Sequence, residues 1–330
     1  MTINEIAQMA NVSRATVSRY LNDGYVSEEK RHRIAKVIER TGYVPSPQAR
    51  TLRTGKTKFV GVIIPKISSE SIGREVAGIS SVLSASDYRV LLANTDNDET
   101  AEVTYLHAFK EESQVDGIIL IGTVITDAHV RAIADLQIPV VVLGQQVEGV
   151  SCVYFNDYDS IYDLTLCCTH GHMHPAYIGV TRRDHAAGYL REKAFRDALA
   201  TLHIDAAAAV VERGGFNVDT GVARAKKILD KYPETDAFVC ATDNIAAGTL
   251  SELHARGLRV PEDVCVTGLG GSTVANVVTP SLTTAHYFYR TSGVEAARML
   301  VEAMEQGNVV SRETKMGYRL VLGGSTQQDH

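Results

Sequence analysis

SRATVSRYLN, residues 13–22, is the stretch that decides how this chain is read. Val17 and Leu21 lie four apart and seat one face of a helix in a core. Arg14, Thr16, Ser18 and Arg19 fall outside that face and carry donors of different lengths. Upstream, Thr2 and Glu5 form a capping box, and Ile6, Ala7 and Ala10 give a first helix its apolar side. Asn11-Val12-Ser13 makes a tight turn, with Ser13 as the cap of the second helix, which Asn22-Asp23-Gly24 ends. Ser27 caps a third helix with Glu28 and Glu29 in its first turn, where the helix dipole favours them. That helix runs through Ile34, Val37 and Ile38 to a stop at Gly42. Two helices joined by a tight turn, with a third behind them, make a helix-turn-helix. Its second helix brings its first residues to base edges, while small polar side chains meet phosphates.

Charge is distributed accordingly. Residues 1–58 hold 11 Lys+Arg against 5 Asp+Glu, and the remainder 22 against 34, within a net charge of −6. A basic head on an acidic body suits a nucleic-acid-binding module joined to something else. The 330 residues, 45% of them hydrophobic, suffice for two or three packed domains. No apolar run is long enough to span a bilayer, and the first residues lack the basic start and apolar core of a secretory signal, so a cytoplasmic protein is expected. Five cysteines without a CxxC pair (Cys152, Cys167, Cys168, Cys240 and Cys265) are expected as buried free thiols.

After the head, Pro45 and Pro47 break the third helix, and Ser46-Pro47 starts a short hinge helix over about 46–54 that is too short to stand alone. From Phe59, short apolar runs alternate with helix-length segments: FVGVII, RVLLAN, DGIILIG, PVVVLG, AYIGV, AAAVV, AFVCA, VCVTG and LTTAHY. Such runs belong to parallel, doubly wound sheets covered on both faces. Their number exceeds one doubly wound unit, which predicts an α/β body of two lobes with a cleft beyond the strands' carboxyl ends.

The head sequence resembles that of the LacI/GalR family of bacterial transcriptional regulators. The likeness continues through VDGIIL, IPVVVLGQ, Gly171-His172, YLREKAF, ATDNIAAGTLSELHARGLRVPEDVCVTG and PSLTTA, with a weaker likeness to the sucrose-type repressors in VIIPKISSES, VVVLGQQ and VTGLGG. The resemblance implies an all-α head (1–57) with a hinge helix and a periplasmic-binding-protein-like body (58–330). It implies an N-lobe of about 58–157 and 288–312 and a C-lobe of about 158–287 and 313–330. It further implies a bacterial, nucleoid-associated homodimer on palindromic operator DNA, repressing a carbohydrate operon until a sugar or sugar phosphate releases it. Base readers are Arg14, Ala15 and Arg19; phosphate or flanking contacts are Thr16, Ser18, Asn22, Tyr25, Ser27 and Tyr43. Leu52, with Ala49 beside it, wedges into the minor groove. Lys30 is read as a further phosphate contact. In the cleft the resemblance points to Ile67, Ser69, Ser71, Ile72, Phe155, Arg191, Phe216, Asp243 and Tyr287.

One departure matters. Where the family carries an acidic pair after the VTG strand, this chain has Gly270 and Gly271. Asp96 or Gln145 is expected to supply the missing acceptor, and Lys66, Arg182 or Arg183 to meet a phosphate. His170, His172 and His174 read as a helix-to-strand junction, so no metal and no cofactor is expected. The absence of a nucleophile–base set, a Walker loop and a GxGxxG disfavours an enzyme. A transport-system sugar-binding protein would explain the body but not the head. Corepression, or dependence on a phosphoprotein, is the alternative within the regulators.

Overall fold

A computed structural model describes residues 1–43, 55–111, 115–169, 171–206, 209–307 and 310–327. The chain divides into two compact units, Met1–Thr57 and Lys58–His330. The expected hinge helix, with Ala49 and Leu52, lies wholly outside the described residues.

The first unit holds α1 (Ile3–Met9), α2 (Arg14–Tyr20) and α3 (Glu28–Thr41). The capping box at Thr2 and Glu5 is formed, the Ser13 hydroxyl accepts from the Thr16 N–H, and Gly42 closes α3 at φ 62°. Ser27 occupies the cap position of α3 without accepting a hydrogen bond. Ile6, Ala7, Ala10, Val17, Val26, Ile34 and Val37 form the core of this unit, with Tyr20, Leu21 and Tyr43 packed at its edge.

The second unit is two lobes with the same strand order. In the N-lobe, β1 (Phe59–Ile64), β2 (Arg89–Asn94), β3 (Gly117–Ile121), β4 (Val140–Leu143), β5 (Ser151–Phe155) and β11 (Glu313–Met316) form a parallel sheet in the order 11-5-4-3-1-2. In the C-lobe, β6 (Pro175–Gly179), β7 (Val210–Arg213), β8 (Ala237–Cys240), β9 (Cys265–Gly270), β10 (Thr283–Tyr287) and β12 (Tyr318–Val321) lie in the order 12-10-9-8-6-7, and only β12 is antiparallel. The helices, in chain order, are α4 (Glu70–Ala85), α5 (Glu99–Glu111), α6 (Asp127–Asp135), α7 (Asp157–Thr169), α8 (Arg191–Thr201), α9 (Val218–Lys231), α10 (Asp243–Ala255), α11 (Thr273–Val277) and α12 (Tyr289–Gln306), with a π-helical segment His185–Leu190 leading into α8. The interior strands are buried along their whole length, which is why they read as unbroken apolar runs.

The chain passes between lobes three times: at Asn156, at Phe288 and at Gly317. The last passage corrects the expected lobe boundary. Residues 313–316 were expected in the C-lobe, but Glu313 to Met316 pair in register with Cys152 to Phe155 of the N-lobe. The strand registers force this: RETKMGYRLV reads as one alternating segment, yet Gly317 divides it between two sheets. After the second passage, α12 returns to pack on α4 so closely that a Cβ on Gly78 would lie 2.1 Å from the Arg290 carbonyl.

Four of the five cysteines are buried, and all five are free. His172, the junction histidine, stands 3.1 Å from Cys265 Sγ through Nε2 and 3.7 Å from Asp236 through Nδ1.

Candidate functional site

In the head, Val17 is fully buried and thereby fixes the rotation of α2. Arg14, Ala15 and Arg19 are consequently exposed, and neither arginine forms an ion pair among the described residues. Thr16 shares a 2.9 Å hydroxyl contact with Ser13, and the Asn22 amide donates to the Ser18 carbonyl, so these two bracket the helix ends. Tyr25 is 88% exposed, and Ser27 and Lys30 are also open to solvent. Tyr43 is half-buried against the core of the head. One exposed face therefore carries two free guanidinium groups flanked by hydroxyl, amide and ammonium donors. Those are the donor types that meet guanine edges and phosphates.

In the body, a cleft of about 650 Å³ opens beyond the carboxyl ends of the strands of both lobes. The N-lobe contributes Pro65, Lys66, Ser68 to Ile72, Arg74, Asn97 and Thr123; the C-lobe contributes Gly215 to Val218, Thr242 to Asn244, Leu269, Gly270 and Ser272, and Tyr289 closes the lining. Ser69, Ser71, Ile72, Phe216, Asp243 and Gly270 thus stand where the sequence reading put them. Ten of the 21 lining residues carry a hydroxyl or amide, groups that exchange hydrogen bonds with a neutral polyol. Phe216 is 41% exposed and offers an apolar face beside it. Asp243 is buried at the start of α10, where its carboxylate accepts from the Ser272 N–H at 2.7 Å and the Thr284 hydroxyl at 2.6 Å. Burial raises its pKa against the pull of those bonds.

The other six effector candidates stand elsewhere. Ile67 is 64% exposed with its N–H on Asn94 Oδ1, and Asp96 accepts from Asn94 at 2.9 Å. Gln145 pins the lobes together: its amide N–H₂ donates to Thr123 O and Asp184 Oδ1, both at 2.8 Å, and its oxygen accepts from the Ala186 N–H. Neither Asp96 nor Gln145 therefore lines the cleft as a substitute acceptor. Phe155, Arg191 and Tyr287 build the joint where the chain crosses between lobes. Phe155 stacks on Tyr287 at 4.6 Å. Arg191 grips Asp157 Oδ1 through Nε at 2.7 Å and Nη2 at 2.6 Å, and it donates through Nη1 to the Ala241 carbonyl. Burial is the largest single influence and opposes its charge, but the Asp157 carboxylate together with the surrounding tyrosines Tyr287, Tyr289 and Tyr177 outweighs it and raises the pKa.

Several cleft residues escaped the sequence reading. Tyr289 did so because Tyr287, two residues earlier, ends a strand with its ring buried, whereas Tyr289 opens a helix at the wall. Arg74 did so because, four residues after Glu70, it carries the signature of an ordinary helix-surface pair; Glu70 itself falls in the segment Lys66 to Ile72 expected at the cleft, without a role of its own.

Close behind the wall, Glu75 is 3% exposed and its Oε2 has no hydrogen-bond partner among the described residues. Burial pushes its pKa up to about 8. A carboxyl with a raised folded pKa stabilises fully below its unfolded pKa, and that contribution is lost as pH rises through the folded value. We expect Glu75→Gln to gain melting temperature relative to wild type at pH 8 and to lose that gain at pH 4. A difference independent of pH would show that Glu75 is ionised in the fold.

Residues 2–46 match the bacterial regulatory proteins of the lacI family, and residues 166–326 match the periplasmic binding protein-like domain. The chain is 30% identical over 311 residues to the sucrose operon repressor of Staphylococcus xylosus, covering 94% of this chain and 96% of that protein. Among solved structures, a transcriptional regulator CelR–cellobiose complex matches at 27% identity with a TM-score of 0.74, over 98% of this chain and 99% of that one. The lac repressor dimer bound to operator and the anti-inducer ONPF shares the fold, with a TM-score of 0.88 at 21% identity over 99% of both chains. A head that folds as a helix-turn-helix, a doubled α/β body and this likeness along nearly the whole length lead to one statement: the chain belongs to the lacI family of bacterial regulatory proteins.

Proposed function

We propose that this protein is a cytoplasmic homodimeric repressor of a carbohydrate-utilisation operon, released from a palindromic operator by a sugar or sugar phosphate held in the interlobe cleft. It acts by binding rather than by catalysis and needs no cofactor. The observation that carries this reading is the cleft itself, with hydroxyl and amide side chains from both lobes around the open face of Phe216. A ligand bridging two lobes favours one lobe arrangement over another, and that difference is what an operator-bound head can sense. The sucrose-operon and cellobiose-bound relatives support a disaccharide as the first ligand to test.

A thermal-shift screen of sugars and sugar phosphates on the full chain identifies the effector. Operator affinity is then measured with and without the hit. Induction predicts that the sugar weakens operator binding by a factor between about 5 and 150, and that operator DNA weakens sugar binding by the same factor. Independent binding of the two ligands rejects the proposal, and tighter operator binding with the sugar makes the ligand a corepressor.

A further inference from the structure

The wall at Gly271 leaves no room for a side chain, and at Gly270 a Cβ would sit a tight 3.3 Å from Asp243 Oδ2 and the Tyr289 hydroxyl. Both residues have positive φ, 133° and 64°, and a Cβ on Gly271 would lie 2.2 Å from His286 Nδ1. A carboxylate nevertheless reaches this wall, and it comes from the opposite lobe. Glu70, in the first turn of α4, accepts from the Thr273 N–H with both oxygens at 3.2 Å and from the Thr273 hydroxyl at 2.7 Å. Arg74, one turn further along α4, donates to the same Glu70 carboxylate and, at 3.2 Å, to the Gly271 carbonyl. Helix α11, which starts at Thr273, is not capped from its own chain segment: Ser272 holds the N-cap position, yet its hydroxyl accepts no capping hydrogen bond from the helix.

We propose that Glu70 and Arg74 form a cross-lobe latch that caps α11 from the facing lobe and holds this side of the cleft together before any ligand arrives. This goes beyond the sugar reading, because the latch needs no ligand and no DNA. Any ligand that reaches this wall meets a carboxylate carried by the N-lobe, so its hydroxyl groups exchange with bonds that already join the lobes.

Two adjacent amides test the latch in the ligand-free full chain. The Thr273 N–H is held across the cleft by Glu70, whereas the Ser272 N–H is held within the C-lobe by Asp243 at 2.7 Å. Hydrogen exchange is read by mass spectrometry with fragmentation that resolves single amides. Glu70→Ala is expected to accelerate exchange at Thr273 about tenfold, the loss of a hydrogen bond to a charged group, and to leave Ser272 unchanged. Arg74→Ala, which frees Gly271 and loosens Glu70, is expected to accelerate Thr273 less. Unchanged exchange at Thr273 in Glu70→Ala overturns the latch. So does equal acceleration at Thr273 and Ser272, since the wall would then be loosening as a whole. Glu70 and Arg74 side chains are 41% and 37% exposed, so both variants retain the buried core.

Discussion

Asp157→Ala is expected to lower the stability of the body by about 3–5 kcal/mol, among the largest effects of any single substitution in this chain. The reason is the charge left behind. Arg191 is 7% exposed and holds Asp157 Oδ1 by a hydrogen bond from Nε at 2.7 Å and an ion-pair contact from Nη2 at 2.6 Å, and the Tyr287 hydroxyl donates to the same oxygen at 3.2 Å. Removing the carboxylate leaves a buried guanidinium with the Ala241 carbonyl as its one hydrogen-bond acceptor among the described residues. Replacing both partners with apolar residues, as in Asp157→Leu with Arg191→Met, is expected to recover much of the loss, because the desolvated charge disappears with its partner. Urea denaturation of the full chain, followed by far-ultraviolet circular dichroism, measures both. A single-variant loss below about 1 kcal/mol would mean that water reaches Arg191 and the pair behaves as a surface ion pair. The position adds a functional consequence. Asp157 and Tyr287 stand beside two of the three crossings between lobes, so loosening this cluster also loosens the relation between lobes on which effector control depends.

What the sequence disclosed followed the range of the physics involved. The head was legible nearly to the residue, because its caps and its 3.6-residue periodicity are local: Thr2 with Glu5, Ser13, Val17 and Gly42 each act within a turn. Nine strands were legible as apolar runs, which burial on both faces produces in the interior strands, while the edge strands β2 and β7 carry their runs only partly buried. The three missed strands lack that signature. SCVYF is short and half-exposed at Tyr154, while ETKM and YRLV lie at sheet edges and alternate exposed with half-buried residues. The cleft was legible as a set of loops following strands and, through Ser69, Ser71, Ile72, Phe216, Asp243 and Gly270, as half of its predicted residues, but the joint between the lobes was not. Phe155 and Tyr287 end strands in different lobes, and only the crossing of the chain brings their rings together. Gln145 and Glu70 likewise take their meaning from partners 39 and 203 residues away. No periodicity or spacing carries that information.

Arg19→Ala should abolish most base discrimination while sparing general affinity for DNA. Arg19 lies in the last turn of α2, exposed and without an ion pair among the described residues, and buried Val17 two residues earlier fixes the direction in which it projects. A guanidinium in that position can take guanine O6 and N7 together, a contact worth about 1–3 kcal/mol of discrimination, or roughly 5–150-fold in affinity. Lys30 is exposed at the start of α3 and offers a single ammonium to a phosphate. Lys30→Ala should therefore weaken every sequence alike and reduce the salt slope of binding by about one unit. The operator is obtained by selecting bound palindromes from a random pool, and each variant is titrated against it and against random DNA at several salt concentrations. If Arg19→Ala lost equally on both DNAs, Arg19 would be a phosphate contact, and base reading would fall to Arg14 and Ala15 at the start of the same helix. If the loss is confined to the selected operator, the outward face of SRATVSRYLN is its reader. The salt slope keeps the two cases apart, since a base contact releases no counterion and a phosphate contact does.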